Sequence, residues 1–347
     1  MVQKTDRFKK NPQRILAFQD KDSSSLALSA SGGAFAAIAR VILEDGGVVF
    51  GSAMELGGYI HHIMIDSPSE LGRLQGSKYS KSNLEKTIIQ CCEMLRSGRK
   101  VLFSGTPCQI FALGSYLEKK GISLENENLL TCDLICHGVT RPGLFEAYIH
   151  WLEKKNKAEQ GSLNYIFRSK QRGWGLIYRY TYISKAGKDK VVFGPAYSDR
   201  YYKAYLSGYL FEKRCYSCPF ATKARLGDFT LGDYWGIEKQ HPNFPYKQGA
   251  SLVFLNTGKA ENLFESSLKD QCIYLDSTFE KASKENSNLL VPSSFPIEFE
   301  KLSLEVEKAE KEGKYDYIFN ELLCEKGFKA AIKKILPRWL LIKLSFL

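Results

Sequence analysis

Four cysteines stand where a metal centre would need them. Cys108 sits in Gly105-Thr106-Pro107-Cys108-Gln109, Cys136 in Asp133-Leu134-Ile135-Cys136-His137-Gly138, and Cys215 with Cys218 in Cys215-Tyr216-Ser217-Cys218-Pro219. The first two follow apolar runs, 101–103 and 129–135, that read as buried strands closing on turn residues, so each thiol is delivered to a fixed point. The C-x-x-C pair can face one centre together, and the proline after it stops the chain from continuing as a helix. Lys213, Arg214, Lys223 and Arg225 surround that pair with positive charge. Four thiolates are the number an iron–sulfur cluster or a structural zinc takes, and spacing alone does not separate iron from zinc. Redox chemistry is the leading expectation.

The other readings of these thiols are specific. Cys108 begins an expected helix, where free N–H groups and the helix dipole stabilise a thiolate; otherwise it is a buried cysteine at a strand–helix turn. Cys132 shares a strand face with Leu130 and Leu134 and reads as core, and Cys91, Cys92, Cys272 and Cys324 lack a ligand context. Cys136 and His137 are strand neighbours that point to opposite faces, so a thiol hydrolase would have to pair Cys108 with His137 across two strand ends. The other role for His137 is a hydrogen bond to a cluster sulfur or a second cofactor.

A second group of residues suits phosphate. Ser31-Gly32-Gly33 opens a helix of small residues, where a pyrophosphate can approach the backbone, although helix capping explains the glycines equally well. Gly76-Ser77-Lys78-Tyr79-Ser80 adds a turn, a cation and hydroxyls, or else is an exposed loop. Gly227-Asp228 and Gly232-Asp233 are expected to shape the wall near the cysteines or to cap turns, and Arg168 and Trp174 read as packing, the alternative being contact with an anionic or planar substrate.

The elements that must position these residues alternate. A helix over 34–43 stops at Gly46-Gly47; strands over 48–53 and 61–65, a helix over 84–96, a strand over 101–104, a helix over 111–120, a strand over 129–135 and a helix over 143–155 follow. That order predicts an α/β fold, a mainly parallel sheet flanked by helices. Tyrosine-rich segments at 165–168, 178–183 and 190–193 predict an antiparallel β insertion, with a helix over 201–211 leading to the C-x-x-C. Strands over 228–236 and 251–255 follow, then a charged helical extension with a loop at 284–292. The expected division is an N-terminal domain over 13–98, a cysteine-bearing domain over 99–260, and a helical extension over 261–347 ending in a basic amphipathic tail.

Composition bounds the function. The chain has 347 residues, 9 cysteines and a formal charge of +11, enough for a sizeable core and diffuse enough to be a basic surface or a contact for an anionic partner. No nucleic-acid reader motif is present. The polar, basic start is no signal peptide, and no apolar run approaches the roughly 18 residues of a membrane span, so reduced cysteines in the cytoplasm are expected. The segment 326–347 carries Trp339 and many lysines; it either packs on protein or lies peripherally on the inner membrane face.

At Ser31-Gly32-Gly33, Gly76 to Ser80, Gly105 to Gln109, Cys136-His137-Gly138 and Gly227 to Asp233, the chain resembles the beta subunits of coenzyme F-420 (deazaflavin) hydrogenases and dehydrogenases. The bacterial branch, often encoded among exopolysaccharide genes, is the nearer likeness, over roughly 13–260. The resemblance implies a flavin, FAD or alternatively FMN, and a [4Fe-4S] cluster on Cys108, Cys136, Cys215 and Cys218. It implies flavin contacts at Ser31, Gly32, Gly33, Ser77, Lys78, Tyr79, Ser80, Thr106 and His137. Lacking any cysteine before Cys91, the chain departs from relatives with an N-terminal ferredoxin-like module, so its expected electron partner is a ferredoxin or a separate iron–sulfur subunit. A small organic molecule would be the hydride partner, with a role in polysaccharide biosynthesis. The alternative is a zinc- or cluster-stabilised protein of glycan biosynthesis without redox activity.

Overall fold

The computed structural model describes residues 6–324, so the basic tail at 326–347 lies outside the described residues. Apolar runs with little alternation, such as Arg14–Asp20 and Val101–Gly105, form strands covered on both faces, because only helix-flanked sheets bury both sides of a strand. Eight strands make the central sheet: β1 (Arg14–Asp20), β2 (Val48–Met54), β3 (Ile60–Ile65), β4 (Val101–Gly105), β5 (Leu129–Leu134), β9 (Phe229–Asp233), β10 (Ser251–Leu255) and β11 (Cys272–Asp276). Their order is β11-β1-β10-β9-β5-β4-β2-β3. β2, β4, β5 and β9 pair in parallel; β10 runs against β9 and β1 against β10, so β1 points the same way as the parallel core. The carboxyl ends of five strands therefore share one edge.

Helices cover both faces. α1 (Ala34–Glu44) buries Ala37, Ile38 and Ile42 in a core with Val49, Leu102 and Leu231. On the other face α2 (Thr87–Arg96) and α3 (Pro107–Lys119) bury Cys91, Leu95, Ile110 and Leu113 with Phe50 and Phe103. α4 (Leu144–Asn156) and α5 (Arg200–Leu206) pack under a separate three-stranded antiparallel sheet, β6 (Asn164–Ile166), β7 (Ile177–Ile183) and β8 (Asp189–Pro195), around a core of Phe145, Tyr148, Tyr165, Phe167, Tyr201 and Tyr202. α6 (Glu300–Lys311) adds Leu302 and Val306 to that core.

The fold is the expected α/β architecture with an antiparallel insertion and C-terminal helices. Sequence reading missed β1 and β11, whose partners lie more than 200 residues away in the chain. It also extended α5 to 211, whereas Ser207 and Gly208 end the helix and Gly208 adopts a left-handed φ of 76°. The sheet draws β1–β3 from 13–98, β4, β5, β9 and β10 from 99–260, and β11 from the extension. Among the described residues, no helix is long and apolar enough to cross a membrane.

Candidate redox site at the carboxyl edge of the sheet

At the end of β4, Thr106 starts α3 with Pro107 in its first position, where a missing N–H leaves nothing unpaired. Gln109 reaches back: its side-chain oxygen accepts from Thr106 N at 2.9 Å, and its amide donates to Ser82 O at 3.0 Å. Cys108 is thereby held on the exposed rim, with Sγ 3.2 Å from Thr106 Oγ1. Beneath this turn, buried His62 places Nε2 3.0 Å from Ser104 O and Nδ1 2.7 Å from Ser82 Oγ. A carbonyl only accepts, so Nε2 carries the proton and Nδ1 accepts from the serine. Burial lowers the His62 pKa to about 4, leaving a neutral prop under the turn.

At the end of β5, buried Asp133 accepts from Leu226 N at 2.9 Å, Gly227 N at 3.1 Å and Arg225 Nη2 at 3.2 Å. Arg225, equally buried, also donates to Phe220 O, Thr222 O and Leu134 O at 3.0–3.3 Å. The loop after Cys218 is thus pinned to the strand that precedes Cys136. On the other side of the C-x-x-C, Cys215 N donates to Glu212 O at 2.8 Å and Glu212 N to Val139 O at 2.9 Å, while Lys81 pairs with Glu212 at 3.1 Å.

These tethers bring the four expected cysteines together. Every pair among Cys108, Cys136, Cys215 and Cys218 is close enough for one thiolate to disfavour another. Burial pushes Cys136 up to about 12 and raises Cys215 and Cys218, and the neighbouring sulfurs add to each shift. Such thiols ionise together only when a cation sits among them. Among the described residues, no three His, Cys, Asp or Glu side chains converge tightly enough to hold one metal ion. Tetrahedral zinc, with Zn–S bonds of about 2.3 Å, draws its sulfurs to about 3.8 Å of each other, whereas a four-iron cluster with one thiolate per iron spreads them wider. Cys91, Cys92, Cys132, Cys272 and Cys324 are buried elsewhere.

The Ser31-Gly32-Gly33 loop lies on the same edge, between the end of β1 and the start of β10. Gly33 takes a left-handed φ of 82° and caps α1 without any side-chain hydrogen bond, leaving the helix's first N–H groups free of a capping side chain. At Gly32 a Cβ would fall 2.1 Å from Phe18 O and 2.4 Å from Ser251 N, so the glycine admits the loop between two strands. Ser31 Oγ donates to Ala250 O at 2.6 Å. Lys170 donates to Ser31 O and, at 2.7 Å, to Leu26 O, and burial lowers its pKa to about 8.

The loop at 76–82 bridges this region and the cysteines. Gln75 donates to Ser25 O and Ser29 Oγ, both at 2.9 Å, while Ser80 Oγ accepts from Thr140 Oγ1 at 3.0 Å. Tyr79 stacks on Tyr205 at 4.8 Å, and Tyr205 donates to Gly138 O at 3.1 Å, two residues past Cys136. Ser77 is half-buried in the same loop. Lys78 turns its ammonium onto Leu74 O at 3.0 Å and Gln75 O at 2.9 Å; burial lowers its pKa to about 7.

Arg168 does more than pack. It forms a two-pronged pair with Asp233 at 2.8 and 3.0 Å, and donates to Tyr79 Oη and Ala30 O, both at 3.2 Å. Its guanidinium lies 5.0 Å from Trp235, which stacks on Trp174 at 5.1 Å. Asp233 lies beside these groups, and His137 is near enough for that carboxylate to raise its pKa, against the larger lowering by the surrounding protein. The sulfur of Cys108 has Thr106 as its partner, not His137. Asp228, in contrast, starts β9 at the far edge, where its carboxylate accepts from Thr131 N and Oγ1 at 2.8 Å and from Thr257 Oγ1 at 2.9 Å. It secures the sheet and does not wall the cysteines. His62, Lys170 and the Asp133–Arg225 pair escaped sequence reading. Asp133 and Arg225 stood beside cysteine motifs, but nothing in sequence marked His62 or Lys170.

Thiols, an uncapped helix start and a loop carrying Lys78 gather at the carboxyl ends of parallel strands, the edge at which open α/β sheets bind ligands. The family model for the C terminus of the coenzyme F420 hydrogenase/dehydrogenase beta subunit matches residues 98–281, more than half of the chain. The chain belongs to this family of redox-enzyme subunits. Among solved structures, it is similar to a chain of the F420-reducing [NiFe] hydrogenase complex from Methanosarcina barkeri, with TM-score 0.51 and 16% identity over 91% of this chain and 96% of that one. At that identity the likeness shows the fold. No curated protein matches significantly in sequence.

Proposed function

We propose that the chain is a flavin- and [4Fe-4S]-dependent oxidoreductase subunit that passes electrons between an iron–sulfur partner and a small organic hydride donor or acceptor. The observation that carries this reading is the mutual approach of Cys108, Cys136, Cys215 and Cys218 at one edge of the sheet. They would hold the cluster, one thiolate per iron. The start of α1 after Ser31-Gly32-Gly33, together with Lys170 and the 77–80 loop, would hold the phosphates of FAD or FMN. With Thr106 and His137 on the cysteine side, the flavin would lie between that loop and the cluster.

When bound, a flavin exchanges hydride with organic molecules and single electrons with a cluster. The chain's own residues supply the rest. Lys170 and Lys78, with pKa values lowered towards neutrality, provide adjustable positive charge beside the bridging loop. Arg168 holds Asp233, Tyr79 and the Ala30 carbonyl in fixed relation, so the two halves of the site keep one separation. Tyr79 and Tyr205 stack their rings between them. The electron partner would be a ferredoxin or separate iron–sulfur subunit, in the cytoplasm, and polysaccharide synthesis the setting.

Anaerobic purification followed by iron, sulfide, zinc and flavin analysis tests this. The expected result is about four irons and four sulfides with one flavin per chain. Serine at Cys108, Cys136, Cys215 or Cys218 should each abolish most iron, and Cys91→Ser should not. A colourless protein holding zinc, or full iron retention in both Cys215→Ser and Cys218→Ser, would overturn the proposal.

A further inference from the structure

The segment 288–297 follows the family match, which ends at residue 281, and lies across the cysteine site. Ser293 Oγ donates to His137 O at 2.6 Å, directly after Cys136. Buried Asn288 donates its amide to the same Ser293 oxygen at 3.1 Å, which fixes the hydroxyl's direction. Two residues on, Phe295 sets its ring edge-on to Tyr216, inside the C-x-x-C, at 5.1 Å and 88°.

The remaining contacts close a circuit. Tyr216 Oη donates to Gly208 O at 2.6 Å and accepts from Phe211 N at 3.2 Å. The Phe211 ring in turn rests on Gly138, where a Cβ would lie 2.5 Å from it. From Gly138 the chain returns to His137, and so to Ser293. Cys136 sits beside one arc of this ring and Cys215 and Cys218 beside the other. Cys108 lies on the open rim, outside it.

We infer that Ser293 and Phe295 form a clasp that holds the Cys136 turn and the C-x-x-C turn at fixed separation and shields their sulfurs, making both positioning residues for the metal group. Its role towards a cluster rests on the function proposed above, but the clasp itself is a property of the metal-free chain. An apolar ring and one charge-free hydrogen bond close it, so it opens without disturbing the sheet.

The test is thiol alkylation of the metal-free protein, resolved by cysteine with mass spectrometry. Ser293→Ala and Phe295→Ala should each speed labelling of Cys136 and Cys215 by about fivefold or more, the effect of losing one net interaction. Exposed Cys108 should keep its rate, and buried Cys91 and Cys132 should stay unlabelled. Ile297→Ala, at a residue 71% exposed, is the control and should change nothing. If Phe295→Ala also exposes Cys132, the Ser293→Ala variant decides by the same criterion. Unchanged Cys136 and Cys215 rates in a variant whose core stays closed would overturn the clasp. In reconstituted protein the same variants should lose iron faster to a chelator. Wild-type protein that binds no iron would refute the cluster while leaving the labelling result to stand.

Discussion

The Asp133–Arg225 pair should behave as a unit whose halves cannot be removed separately. Both side chains are at most 1% exposed. Asp133→Ala would leave the guanidinium buried among three carbonyls with no counter-charge, and would orphan Leu226 N and Gly227 N. Breaking a buried pair from one side costs about 3–5 kcal/mol, and the orphaned N–H groups add about 1 kcal/mol each. Against a total of about 5–15 kcal/mol for a folded domain, that removes a third or more of the stability. Arg225→Met should cost less, about 2–3 kcal/mol, because Asp133 keeps two backbone donors. The double variant leaves no isolated charge, so it should be more stable than the sum of the singles by about 2 kcal/mol. Urea denaturation of the metal-free protein, followed by circular dichroism, measures all four species. Arg225→Met should also weaken iron binding, since the loop after Cys218 loses its anchor to β5. Additive singles, or an Asp133→Ala variant as stable as wild type, would refute the reasoning.

Gly32→Ala should lower the thermal midpoint sharply, because its Cβ meets backbone on both sides, whereas Gly72→Ala, with open space around it, should be close to neutral by calorimetry. Buried Asp199 accepts from Tyr148 Oη at 2.7 Å and Tyr202 N at 2.8 Å, and burial raises its pKa from 3.8 to about 6. The folded state therefore binds the proton more tightly than the unfolded one, so its contribution is full below pH 4 and is lost as pH rises through 6, by about 3 kcal/mol. Asp199→Asn should flatten the urea-midpoint profile between pH 4 and 7, and an unchanged slope would count against a buried carboxyl. For Lys78 the sign is opposite: its pKa falls from 10.5 to about 7, so its contribution to stability grows as pH rises across that window, and Lys78→Met should remove that rise.

Much of this protein was legible in its sequence because local rules wrote it. Apolar runs starting at Val101 and Leu129 announced a helix-covered sheet, and turn residues after them placed Cys108 and Cys136 at strand ends. The C-x-x-C and proline marked Cys215 and Cys218 without reference to anything distant. What joined the four thiols was not local. Cys218 comes to Cys136 through a salt bridge spanning 92 residues, and Cys136 is held from 156 residues away by Ser293. At Gly32 the sequence shows the missing side chain but not the strands β1 and β10 that close on it. Lys78 read as a cation for phosphate and Lys170 went unmarked; only tertiary burial gave each its carbonyl partners and lowered pKa. Residue type thus determined which atoms could bind metal, anion or proton, while long-range packing decided which of them meet, since burial and distance between remote segments are set by the assembled sheet.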